Sequence, residues 1–276
     1  MIEAYLKLEE ERNAQGIPAL PLTPEQTTGV CELLQNPPAG KEEFLLNLLT
    51  ERISPGVDPA AEVKAAFLAE IVAGTKSSPL IDKVKAVQIL GTMIGGYNVQ
   101  CLISALSDAA LADEAAKALS SMTYVYDAAE QVVTLAKDNA AAQKVVDSWA
   151  QAEWFTSKPE LAETITVKVF KVEGEINTDD FSPAGDAWSR PDIPLHTLAM
   201  GKTRFPGGIE EIAKWREAGH QVAFVGDVVG TGSSRKSACN SVLWCIGNDI
   251  PAVPNKRRGG IIIGSVIAPI FFNTAQ

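Results

Sequence analysis

Through about the first 157 residues, apolar side chains recur at three- and four-residue intervals. Beyond that point they alternate or gather into short runs. That change of period is the strongest constraint on the fold, because a helical stripe and a strand face are buried by different kinds of layer. Val63, Phe67 and Ile71 line one helical face with Leu68 beside them, and Leu80, Val84, Val87 and Leu90 line another. Phe44, Leu45, Leu48 and Leu49 mark a third helix, Leu102, Ile103 and Leu106 a fourth, and Leu111, Ala115, Leu119 and Met122 continue the series. Breakers separate them at Pro37-Pro38-Ala39-Gly40, Ser54-Pro55-Gly56, Gly74 to Pro79 and Gly95-Gly96. The pattern predicts paired antiparallel helices of about twenty residues each plus turns, stacked as an irregular α-solenoid. Stacks of that kind usually serve as docking surfaces, and nothing catalytic stands out in this half.

After Trp154-Phe155 the chain passes through Lys158-Pro159 and an acidic stretch, Glu160 to Glu163, that reads as a junction. Thr164 to Val172 alternates like a strand. A loop rich in glycine, proline and aspartate follows, then a helix expected at Ile209 to Glu217, a strand–turn–helix across Gln221 to Ser237, and an apolar run at Ile261 to Val266. The order predicts a compact α/β layer domain. The expected division is therefore an α-helical domain at residues 1–157 and an α/β domain at 158–276. The apolar Pro-Ile-Phe-Phe segment just before Gln276, with no capping element expected after it, makes the second domain look truncated at its C-terminus.

Composition narrows the function classes. Of the 276 residues, 46% are hydrophobic and 21% charged, the profile of an ordinary globular protein. A net charge of −10 argues against a whole-chain attraction to nucleic acid or to anionic membranes. Lys256-Arg257-Arg258 is the compact basic cluster, and it reads as a solvated turn before Gly259-Gly260. No apolar run reaches the ~18–20 residues of a membrane span, and the N-terminus lacks the pattern of a signal peptide. Cys31, Cys101, Cys239 and Cys245 are scattered without a C-x-x-C pair, so no metal site is expected and cytoplasm is the expected compartment.

The candidate chemistry lies in two segments. In QVAFVGDVVGTGSSRKS a buried strand runs into Gly230-Thr231-Gly232, followed by Ser233, Ser234 and Arg235 at an expected helix start. Helix-start amides, hydroxyls and a guanidinium suit a small anion such as a carboxylate or phosphate. No Walker A frame fits, and Arg235 stands where a dinucleotide fingerprint needs its third glycine. Ser233 as a plain helix cap is the competing reading. The second segment runs from Asn177 through Thr178, Asp179 and Ser182 to Arg190. It is either a turn-rich connector or a set of groups that orient a hydroxyl, with Arg190 offering a fork for a carboxylate. His196 and His220 show no metal-ligand spacing and read as core or surface residues.

Taken together, the blocks NTDDFSPAGDAWSRPDIPLHTLAM, GDVVGTGSSRKSACNSVLW and IPAVPNKRRGGIIIGSVIAPIFFNT resemble the aconitase B branch of the aconitase family. NPPAGKEEFLLNLLTERISPGVD and LGTMIGGYNV are similar to its N-terminal HEAT-like domain. The resemblance covers essentially the whole chain. It implies a HEAT-like helical solenoid followed by a β/β/α swivel domain, lacking its final strands, and a substrate that is a tricarboxylate: citrate, isocitrate or cis-aconitate. It implies Ser233 as the catalytic base, Ser234, Arg235 and Arg190 as substrate contacts, and Thr178, Asp179 and Ser182 as an active-site loop. A 4Fe-4S cluster is implied for the full enzyme, with ligands in cluster-bearing domains absent from this chain, so no turnover is expected from this polypeptide alone. Dehydration of 2-methylisocitrate, a homodimer through the helical domain, and RNA binding are further expectations from the same resemblance.

Overall fold

The structure is a computed structural model that describes residues 1–233 and 235–275. Its helical part comprises α1 (Ile2–Asn13), α2 (Pro24–Leu33), α3 (Glu42–Glu51), α4 (Pro59–Ala73), α5 (Lys83–Leu90), α6 (Val99–Ala105), α7 (Ala112–Ser120), α8 (Ala129–Leu135), α9 (Ala140–Ala150) and α10 (Glu153–Thr156). The remainder runs β1 (Lys168–Asn177), α11 (Thr178–Phe181), α12 (Ile193–Thr197), α13 (Gly208–Glu217), β2 (Val222–Thr231), α14 (Lys236–Ile246), β3 (Asn248–Ile250), β4 (Val253–Arg258), β5 (Ile261–Ile267) and α15 (Pro269–Ala275). The chain forms two compact units. One holds Met1–Tyr5, Leu20–Leu161 and Ala252–Pro254; the other holds Leu6–Ala19, Ala162–Pro251 and Asn255–Gln276.

In the helical unit, local chemistry sets the helix ends. Thr23 and Gln26 close a capping box on α2, with Pro24 at the first position where its missing N–H costs nothing. Asp58 accepts from the Ala60 amide to start α4, again with proline next, and Gly74 ends that helix in the left-handed conformation. The buried Asn98 amide donates to the carbonyls of Leu90 and Met93, satisfying the end of α5. With 15 residues, α4 is the longest helix in this unit, shorter than the expected twenty, because these caps and breakers interrupt each stripe early. Leu34, Leu45, Leu48, Leu49, Ile53, Leu68, Ile81 and Leu90 are fully enclosed.

In the other unit, β1, β2 and β5 form a parallel sheet with β2 in the middle. Its core gathers Phe170, Val172, Ile176, Phe181, Phe224, Val229, Val242 and Phe271. The first strand lies several residues later than its alternation suggested. Gly174, at φ 77°, lies at a register shift between Val172 and Glu175 and carries the pairing on to Asn177. The basic cluster is strand rather than turn. Arg257 in β4 stacks on the Trp244 ring at 4.1 Å and donates to Asp249 at 2.8 Å, contacts between residues too far apart in sequence for local reading. Pro269 opens a helix that seals Phe271 into the core, so the expected uncapped end is helical. Among the described residues no helix is long and apolar enough to cross a membrane.

One residue breaks the pattern of the helical core. Lys64 of α4 is fully buried, and its Nζ has no hydrogen-bond partner among the described residues. Burial pushes this amine down to about 8, against a smaller pull from Glu51. Protonation is thus harder in the folded chain than in the unfolded one, so stability is greatest above the unfolded value near 10.5 and falls as pH drops to about 8. Replacing Lys64 by Met should raise the urea midpoint at pH 7 by the equivalent of about 3 kcal/mol and flatten the dependence between pH 8 and 10.5. Urea titrations of both chains across that range check this.

Candidate functional site

Strands β1 and β2 run parallel, and Asn177 sits opposite Thr231 at their carboxyl ends. Each strand therefore delivers its following segment to the same edge of the sheet, the usual place for ligand binding in parallel α/β layers. Beyond β1, Asn177 accepts from the amides of Asp179 and Asp180 while Asp180 accepts from the Asn177 amide, and this capping box turns the segment into the short helix α11. Phe181 then plugs the core against Phe224 at 5.2 Å and Phe271 at 5.5 Å between ring centroids. The start of the segment, read as either a turn-rich connector or a set of orienting groups, is a helical turn anchored at both ends.

The chain passes through Gly230, near the end of β2, and Gly232, just beyond it, both at positive φ. A Cβ on Gly230 would run into the Phe271 ring, and one on Gly232 would stand 3.1 Å from Thr178 Oγ1. Glycine is needed here for both conformation and space. Ser233 is solvent-exposed in the turn. Ser234 lies outside the described residues. The helix opens at Lys236 with Arg235 as its N-cap and no side-chain cap bond, so Ser233 does not cap it.

Arg235 ties the two segments together. Its Nη1 donates to Asp179 Oδ1 and, at 2.9 Å, to the Ser182 carbonyl. The hydrogen bond from Arg235 holds the Asp179 carboxyl below the usual carboxylate range. Thr178 is buried, and its Oγ1 has no partner among the described residues. Ser182 is buried too, its Oγ 2.7 Å from both His196 Nε2 and Ser237 Oγ. Arg190 donates to the Leu195 carbonyl at 3.2 Å and lies 3.6 Å from Asp186 Oδ1. Lys202 also bonds Asp186, and that bond chiefly depresses this carboxyl, with Arg190 adding to it.

Asn177, which opens the second candidate segment, His196, read as a core or surface residue and found buried, and Ser237 are groups of this site to which sequence reasoning gave no role in it. The first was detectable as a capping box, since Asp180 stands three residues after Asn177. The other two meet Ser182 across 14 and 55 residues, and no local pattern announces such a meeting. An open cavity of about 290 Å³ flanks the loop, lined by Asp179, Asp180, Pro183, Lys202 and Arg204 among others.

Among the described residues the cysteines are dispersed rather than gathered as an iron–sulfur cluster needs. Burial pushes the thiols of Cys31 and Cys245 up to about 12 and that of Cys239 up to about 11, which keeps them protonated. Cys101 is raised for the same reason. Among the described residues no three metal-binding side chains come together.

Residues 4–155 match the family model of the aconitate B N-terminal domain, and residues 167–276 match that of the aconitate hydratase 2 N-terminus. The chain belongs to the aconitate hydratase B family. It is 57% identical to aconitate hydratase B of Pseudomonas aeruginosa, 57% to that of Synechocystis and 56% to that of Escherichia coli. Each alignment takes in all of this chain and about a third of the relative, 33%, 32% and 33% respectively.

The end of β2 is the steric pinch point of the site. Gly230→Ala should lower stability by roughly 2 kcal/mol or more, from the left-handed backbone and the clash with Phe271 together. Urea denaturation followed by tryptophan fluorescence measures it.

Proposed function

We propose that this chain provides the proton-abstracting serine and the carboxylate-binding arginines of an aconitate hydratase, the tricarboxylic acid cycle enzyme that interconverts citrate and isocitrate through cis-aconitate. The observation that carries this reading is the junction at Arg235, where the segments after two adjacent parallel strands meet beside an exposed serine. In this reading Ser233 Oγ takes the proton from the carbon next to a carboxylate. Arg190 and Arg235 hold carboxylates of the same acid, and Ser234 adds a hydroxyl contact. Thr178, Asp179 and Ser182 form the facing loop. A serine hydroxyl is a very weak base, so its alkoxide needs nearby positive charge, which Arg235 and the first amides of α14 supply. Holding the acid at both ends places its reactive carbon against the serine.

Residues 1–157 are read as the family's HEAT-like element and 158–276 as its swivel element, with the cytoplasm as compartment. The iron–sulfur cluster known in the family is assigned to none of these cysteines, and no step is routed through it. Activity on 2-methylisocitrate is a matter for the same assay. Self-association through the helical stretch fits the reading; RNA binding there would work against the net charge of −10.

A chimaera tests the proposal: this chain replaces the matching third of the Escherichia coli relative, and isocitrate formation is followed. Ser233→Ala should lower kcat by roughly a hundredfold to ten-thousandfold with KM little changed. A change confined to KM would sink the base assignment. Arg235→Ala should cost ~2–5 kcal/mol in kcat/KM.

A further inference from the structure

The five-residue helix α12 touches the supports of both arginines. Leu195 offers its carbonyl to Arg190 Nη1 at 3.2 Å. The next residue, His196, is buried and places Nε2 2.7 Å from Ser182 Oγ. Ser182 Oγ in turn lies 2.7 Å from Ser237 Oγ on the first turn of α14, and the Ser182 carbonyl accepts from Arg235 Nη1 at 2.9 Å. The helix is itself fixed. Asp192 caps it by accepting from the Leu195 amide, and the Arg12 guanidinium grips the Asp192 carboxylate at 3.0 and 2.6 Å. Both of these residues belong to the same compact unit as the site.

We propose that His196 is a positioning residue that fixes the spacing of the Arg190 and Arg235 guanidinium groups, and with it the length of the acid they accept. The proposal rests on the reading of this site as a carboxylate-binding one. A serine hydroxyl has one proton and two lone pairs, so between these two partners it donates to at most one and accepts from the other. With both bonds made, the Ser182 side chain cannot rotate, and its carbonyl stays directed at Arg235. Removing the imidazole leaves a buried hydroxyl short of a partner and frees the loop to shift. Arg190 stays on Leu195 while Arg235 moves, so the span between them is lost. A change in span weakens the grip on a substrate before it touches the proton transfer.

The test uses three variants: His196→Leu, His196→Gln, whose amide can still reach Ser182, and Ser237→Ala, at an exposed position that leaves the core intact. In the chimaera, His196→Leu and Ser237→Ala should each raise KM for citrate by roughly tenfold with kcat within about threefold of the parent, and His196→Gln should recover most of the loss. In the 276-residue chain, ¹⁵N spectra of the Arg235 side chain should show hindered guanidinium rotation in the parent and the Gln variant, and averaged signals in the other two. Unchanged Arg235 signals in a folded Ser237→Ala or His196→Leu chain overturn the proposal whatever the turnover. Loss of turnover equal in kcat and kcat/KM overturns it as well. If Ser233→Ala keeps full activity, the catalytic reading fails while the side-chain spectra still decide the positioning role.

Discussion

Parallel pairing of β1 with β2 is the constraint on which the site depends. With Asn177 opposite Thr231, neither following segment can leave the sheet without meeting the other. Phe181 fixes one of them by filling the core, and Gly230 lets the other pass over Phe271. A shift of one residue in that register would turn Ile176 and Val229, both fully buried, toward the opposite face. The hydrophobic core therefore enforces the alignment that brings Arg235 to Asp179 and Ser182. The same packing that stabilises the unit sets the geometry of its polar edge.

What could be read from the sequence was what is encoded locally. The strand–turn–helix around Gly230 announced itself because strand, glycines and helix follow one another within seventeen residues. The helix starts later than expected, since the backbone turns at Arg235 rather than at a serine, and propensity for capping did not decide the matter. The first strand was misplaced because Gly174 disguises a bulge as an end. Lys256-Arg257-Arg258 looked solvated because its partners, Trp244 and Asp249, are supplied by the fold. The meeting of His196 and Ser237 with Ser182 was not legible for the same reason.

The helical unit divides along similar lines. Its caps were legible as Thr-Pro, Asp-Pro and glycine punctuation, and its stripes as leucine spacing. Lys64 could not be placed from pattern, because a lysine beside Val63 and Phe67 looks like the polar border of an apolar stripe. The fold draws the whole side chain inside. Nothing in the spacing distinguishes a lysine that reaches water along its own stem from one that cannot.

Asp179 and Asp186 already hold the two arginines proposed to bind an acid. In the proposed reading, binding there is an exchange of anions rather than the capture of one by a bare cation. Asp179 is already more than half exposed and recovers hydration on release, whereas Asp186 keeps Lys202 as its partner. The exchange favours acids with several charges. In the same reading, a single carboxylate offers little that Asp179 does not, whereas a ligand joined through its own carbon chain displaces both aspartates from their arginines with one molecule.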